Sequence, residues 1–124
     1  MLRSVPMAPA MPDLKIVERQ VDRVVILDLH GRLLIGQGQN LLRETVDRLA
    51  GSGSTRILLN LADVPFIDSS VVGELVRTLT TLSRKGGQLK LLNLPPRIRT
   101  LLSMTRLLDV FQAYDSEDEA VRSF

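Results

Sequence analysis

Between a short aliphatic run, Arg56 to Leu61, and an amphipathic stretch beginning near Ser70 lies the segment Phe66-Ile67-Asp68-Ser69-Ser70. It sets hydroxyls beside a carboxylate at an expected helix start. A helix N-terminus carries unpaired N–H groups and the positive end of the helix dipole, so it tolerates a phosphoryl group and displays it outward. Three kinds of chemistry fit these residue types. Asp68 or Ser69 can cap the helix, since both types are preferred there. Ser69 can act as a nucleophile if a general base lies within hydrogen-bond reach. Ser69 can also accept a phosphoryl group from a kinase, which needs only an exposed hydroxyl and adds about two negative charges beside Asp68.

The rest of the sequence weighs against catalysis. There is one histidine, His30, and no cysteine, which excludes a multi-histidine metal site, a thiolate site and a thiol nucleophile. An exposed Asp68 is a weak base at neutral pH, His30 ends a different strand, and no G-x-S-x-G elbow is present. Gly36-Gln37-Gly38 lacks the surrounding residues of a phosphate-binding glycine loop and reads as a turn. Arg97, Arg99 and Arg106 form a modest basic group best read as a solvated helix face, and the acidic cluster from Asp115 to Glu119 suits the positive start of a last helix. No catalytic residue, metal or cofactor is expected.

Composition bounds the partners. With 124 residues, 44% hydrophobic and 24% charged, the chain has the size and make-up of one globular domain. Aromatic residues are only 3%, so aliphatic side chains must build the core, and the stacking platforms of single-strand nucleic-acid sites are missing. The net charge of +2 gives no sign of direct nucleic-acid binding. No apolar run approaches the roughly 18 residues of a membrane span. Residues 1–12, with Pro6, Pro9 and Pro12, read as a flexible tail without a signal-peptide core, which leaves 13–124 as the domain and a cytoplasmic location as the expectation.

The elements that must position Ser69 follow from periodicity. Leu14 and Ile16, then Val21, Val24, Ile26 and Leu29, alternate in two strands broken at Asp22-Arg23, a hairpin. Leu41, Leu42, Val46, Leu49 and Ala50 recur at helical spacing, with Gly51 at the expected C-cap and Arg43–Asp47 and Glu44–Arg48 as outer-face pairs. Arg56–Leu61 is a buried strand, and Val72, Leu75, Val76, Leu79 and Leu82 form the inner stripe of a second helix. The same spacing puts Val71, Glu74, Thr78 and Thr81 on or beside its outer face, a possible partner surface. Gly73, unfavourable within a helix, is accounted for by close approach of a partner or a neighbouring element. Gln88–Leu94 is a fourth strand, Pro95-Pro96 opens a third helix, Val110–Tyr114 is a last strand, and Ser116 with Glu119 makes a capping box for a terminal helix. Alternating strands and helices imply an α/β fold with a mostly parallel sheet of about five strands, one antiparallel edge and about four helices.

The unit from Ile57 through Val64-Pro65-Phe66-Ile67-Asp68-Ser69-Ser70 to Gly73 resembles the STAS domain of bacterial anti-sigma-factor antagonists. The likeness spans nearly the whole chain after the tail, including Gly31-x-Leu33, Gly86-Gly87 and the Leu107–Tyr114 segment. It implies a single-domain STAS-like fold and a binding module, not an enzyme. Unphosphorylated, such a protein binds an anti-sigma factor that is also a serine kinase. The kinase phosphorylates the serine after the aspartate, here Ser69, and a serine phosphatase restores the active form. The implied partner surface comprises Asp68, Ser69, Ser70, Val71, Gly73 and Glu74. Two positions depart from the family pattern: Val71 replaces a glycine, and Leu34 replaces an acidic residue. They motivate an alternative, a non-phosphorylated STAS interaction module in a transport or signalling complex.

Overall fold

In the computed structural model the described residues are 13–65 and 67–124; the expected tail, residues 1–12, and Phe66 lie outside them. Strand β1 (Lys15–Val21) turns through Asp22-Arg23 into β2 (Val24–His30), an antiparallel hairpin in register from Lys15↔His30 to Val21↔Val24. Helix α1 (Gln37–Gly51), strand β3 (Arg56–Asp63), helix α2 (Ser69–Arg84), strand β4 (Gln88–Leu92), helix α3 (Pro96–Met104), strand β5 (Ala113–Tyr114) and helix α4 (Glu117–Arg122) follow. The sheet order is β1-β2-β3-β4-β5, and every pair after the hairpin is parallel. The expected mostly parallel sheet of five strands with one antiparallel edge, and the four helices, are therefore observed.

Because each parallel crossover steps one strand in the same direction with the same hand, α1, α2 and α3 fall on one face of the sheet. There Leu42, Val46, Leu75, Leu82, Ile98 and Leu102 pack against Leu27, Ile57, Leu59 and Leu91. The other face holds a smaller cluster in which Ala120 and Val121 of α4 meet Val24, Ile26, Leu58 and Leu92. Burial on both faces makes the start of β2 a continuous apolar run, Val24 to Leu27, all buried, rather than the alternating strand the sequence suggests.

Several local expectations are altered by hydrogen bonding. The last strand shrinks to Ala113–Tyr114, because the Val110 N–H donates to the Leu107 carbonyl and closes a turn. Helix α1 runs through Gly51 to Ser52, and Gly53, at φ 91°, takes the left-handed position beyond it. Arg43 and Arg48 leave their helix-mates: Arg43 pairs with Glu74 on α2 and Arg48 with Glu18 on β1. Pro95 caps α3 with Pro96 inside its first turn, and the Ser116 hydroxyl accepts the Glu119 N–H at 3.4 Å.

Candidate functional site

Strand β3 ends at Asp63, and a short loop delivers Ile67-Asp68 to the start of α2. Asp68 is the N-cap by backbone conformation, φ −74° and ψ 151°, and its carbonyl accepts the Val71 N–H at 3.0 Å. Its carboxylate does not cap the helix. Oδ2 instead accepts the backbone N–H of Ile35 at 2.9 Å, across from the β2–α1 loop. The two loops are further joined by a parallel bridge between Leu33 and Ile67. Capping by the Asp68 side chain, one of the readings of the sequence, is thereby replaced by a link between loops.

Ser69 and Ser70 occupy the first two helical positions and are exposed. Among the described residues neither hydroxyl is hydrogen-bonded to His30 or to a carboxylate; Nδ1 of His30 is engaged by Asp63 Oδ2 at 2.7 Å. A nucleophilic serine therefore has no base in place. Among the described residues no cluster of His, Cys, Asp and Glu could hold a metal, and no helix is long and apolar enough to cross a membrane.

The outer face of α2 differs from the one expected. Val71 is fully buried (0%), Glu74 is 4% exposed and Thr78 3%, so three of the four residues assigned outward point into the protein. The reason lies in the neighbour: α1 packs beside α2, so the buried sector of α2 is wider than the stripe of large aliphatic residues. Glu74 is held by a two-pronged ion pair, Arg43 Nε to Oε1 at 2.8 Å and Arg43 Nη2 to Oε2 at 2.7 Å, with Gln39 Nε2 at 3.5 Å. The Arg43 guanidinium holds the Glu74 carboxyl below its usual range, against the opposing effect of burial. Thr78 is satisfied by donating to the Glu74 carbonyl. What α2 offers to a partner is thus Ser69, Ser70 and Gly73, with Arg77 and Thr80 further along the same exposed stripe. Gly73 is not explained by a neighbouring element, because a Cβ there would meet nothing within 4 Å.

One surface residue escaped the sequence reading. Ile35, 66% exposed and tied to Asp68 through its backbone, places an apolar side chain beside the serines. Its signal was an isolated pair, Leu34-Ile35, in an otherwise Gly- and Gln-rich loop. Of the basic group, Arg99 reaches Asp115 at 3.5 Å, and Arg106 lies beyond the end of α3.

Comparison with known proteins agrees with this architecture. A model of the STAS domain matches residues 15–120. A Thermotoga maritima protein provisionally named an anti-sigma factor antagonist is 33% identical over 101 residues, covering 82% of this chain and 89% of the relative. A crystal structure of a similarly named Thermotoga maritima protein superposes with a TM-score of 0.78 at 31% identity, covering 87% of this chain and 92% of the other. The Bacillus cell fate determinant SpoIIAA in its phosphorylated form gives 0.70 at 25% identity, covering 88% and 98%. The chain belongs to the STAS domain family.

Proposed function

We propose that this protein is a cytoplasmic anti-sigma-factor antagonist that binds an anti-sigma factor with serine kinase activity and is switched off by phosphorylation of Ser69. The observation that carries the reading is the placement of Ser69: exposed, first in a helix, at the carboxyl end of a central parallel strand, where ligands of open α/β sheets gather. Relatives named as anti-sigma factor antagonists, and the likeness to SpoIIAA in a phosphorylated form, support it. The partner surface comprises Asp68, Ser69, Ser70 and Gly73, joined by Ile35. A phosphoryl group on Ser69 would put a dianion where the kinase packs, and an unpaired desolvated charge weakens a complex severely. A serine phosphatase removes it. The protein is in this reading a substrate of enzymes rather than an enzyme.

Incubation with the cognate kinase and ATP, followed by mass spectrometry, should locate phosphate on Ser69, with Ser69→Ala unmodified and Ser69→Asp unable to bind the kinase. Modification confined to another residue, or full binding by Ser69→Asp, would reject the proposal. The alternative, a non-phosphorylated module in a transport or signalling complex, is motivated by Val71 and Leu34. Burial of Val71 takes the first support away, and Leu34, half-buried in the β2–α1 loop, is the one that stands.

A further inference from the structure

At the opposite end of the sheet the β1–β2 turn, the start of β3 and the α2–β4 turn enclose an open cavity of about 390 Å³. Its lining brings together Arg23, Arg56, Ser54, Thr55, Gly53 and Gly86. Gln20 and Val25 complete it, so the lining carries two guanidiniums and no carboxylate. Like Arg32, Arg84, Arg97, Arg106 and Arg122, Arg23 and Arg56 have no acidic partner among the described residues, so both guanidiniums of the cavity are uncommitted. Arg23 is also held at φ 69°, after Asp22 at φ 48°, in a two-residue hairpin turn. Glycine is the favoured second residue of such a turn, and a bulky side chain there is disfavoured. An arginine kept in a conformation that resists it calls for a use of its side chain.

We propose that this cavity binds a polyphosphate group, with Arg23 and Arg56 as the two charged clamps and Ser54 and Thr55 as hydroxyl donors. Guanidinium forks match phosphate oxygens in charge and geometry. No aromatic ring lines the cavity and Val25 is its one large apolar residue, so the phosphate chain rather than a base is the recognised part. The site is independent of the Ser69 surface, since the eight residues of β3 alone separate the two ends by roughly 25 Å.

Titration of the isotope-labelled full chain with sodium pyrophosphate, and in parallel with ATP, should give saturable amide shifts confined to Arg23, Gly53 to Arg56 and Gly86. Equal affinities assign the site to the phosphate chain; tighter ATP binding extends it to the nucleoside. Arg23→Gly installs the residue the turn prefers, so the urea midpoint should hold or rise while affinity falls about tenfold. Arg56→Gln should weaken binding similarly. Absence of saturable shifts at millimolar ligand, shifts centred on Ser69, or undiminished binding by the Arg23→Gly/Arg56→Gln double variant would overturn the assignment.

Discussion

Replacing Val71 by glycine, the residue that stands there in the family pattern, separates a packing role from an interface role. Val71 is fully buried within the main core, in the first turn of α2, two residues after Ser69. Val71→Ala removes two methyl groups, each worth about 0.8 kcal/mol in transfer from water, and leaves a small cavity, for a loss of about 2 kcal/mol. Glycine removes one more carbon and adds part of its helix penalty of about 1 kcal/mol, which brings the loss to about 3 kcal/mol. A domain of ordinary stability, about 5–15 kcal/mol, stays folded under that change. Urea unfolding should therefore give lower midpoints in the order valine, alanine, glycine, with an unchanged dependence on denaturant. Affinity for the kinase, and the rate of Ser69 phosphorylation, should stay close to wild type because Ser69, Ser70 and Gly73 keep their positions. Near-neutral stability together with a large change in affinity would refute the reasoning and return Val71 to the interface.

The other expectations test neighbouring parts of the site. Gly73→Ala should raise stability by up to about 1 kcal/mol, read as a higher urea midpoint, because its Cβ enters open space; weakened kinase binding by the same variant would mark Gly73 as a point of close approach. Gly38→Ala should do the opposite, since its Cβ would lie 2.7 Å from the Arg32 carbonyl oxygen. Asp68→Ala should free the Ile35 N–H, visible as faster amide exchange and a loss of about 1 kcal/mol, while Asp68→Asn keeps an acceptor and much of the protection. The carboxyls of Glu74 and Asp28 lie below their usual range, held there first by hydrogen bonds from Arg43 and Arg19. Because the unfolded chain takes up those protons at higher pH than the folded one, their contribution is complete above about pH 5 and is lost as pH falls through the folded values. Urea midpoints should hold from neutral pH to that point and then decline, and Glu74→Gln should flatten the decline; an unaltered acid profile would reject the assignment. Ser69→Asp should leave the urea midpoint nearly unchanged while abolishing kinase binding.

The strand and helix order was legible because the core is aliphatic and its periods are clean: the Asp22-Arg23 break, the inner stripe from Val72 to Leu82 and Pro95-Pro96 each mark one element without ambiguity. The placement of Ser69 was legible for the same reason, since it sits where strand β3 hands over to α2. What the sequence hid was pairing between elements. Glu74 looks like a surface residue by type, and only the arrival of Arg43 from α1 makes its burial tolerable. Val71, left outside the inner stripe in the sequence reading although it stands four residues before Leu75, joins the main core. Asp68 has the preferred residue type for a cap and the backbone conformation of one, but its carboxylate serves Ile35, a residue 33 positions away. Long-range partners of this kind leave no local mark.

The unused cap bears directly on why a switch would suit this position. With Asp68 committed to the β2–α1 loop, the first N–H groups of α2 have no side-chain acceptor, and the positive end of the helix dipole stays open to solvent. A phosphoryl group tethered to Ser69 could fold back onto those donors. The dipole attraction is about 0.3–1 kcal/mol, and repulsion from Asp68 in water, for charges roughly 6 Å apart, is about 0.7 kcal/mol for each added charge. These opposed effects are of one size, so modification would leave the fold and the Asp68–Ile35 link nearly untouched. The asymmetry appears only when a partner arrives. Excluding water from the same dianion removes the solvent screening that made it harmless, and an unpaired buried charge is far more costly than either surface effect. Binding, and not folding, is then the quantity that phosphate at Ser69 would control.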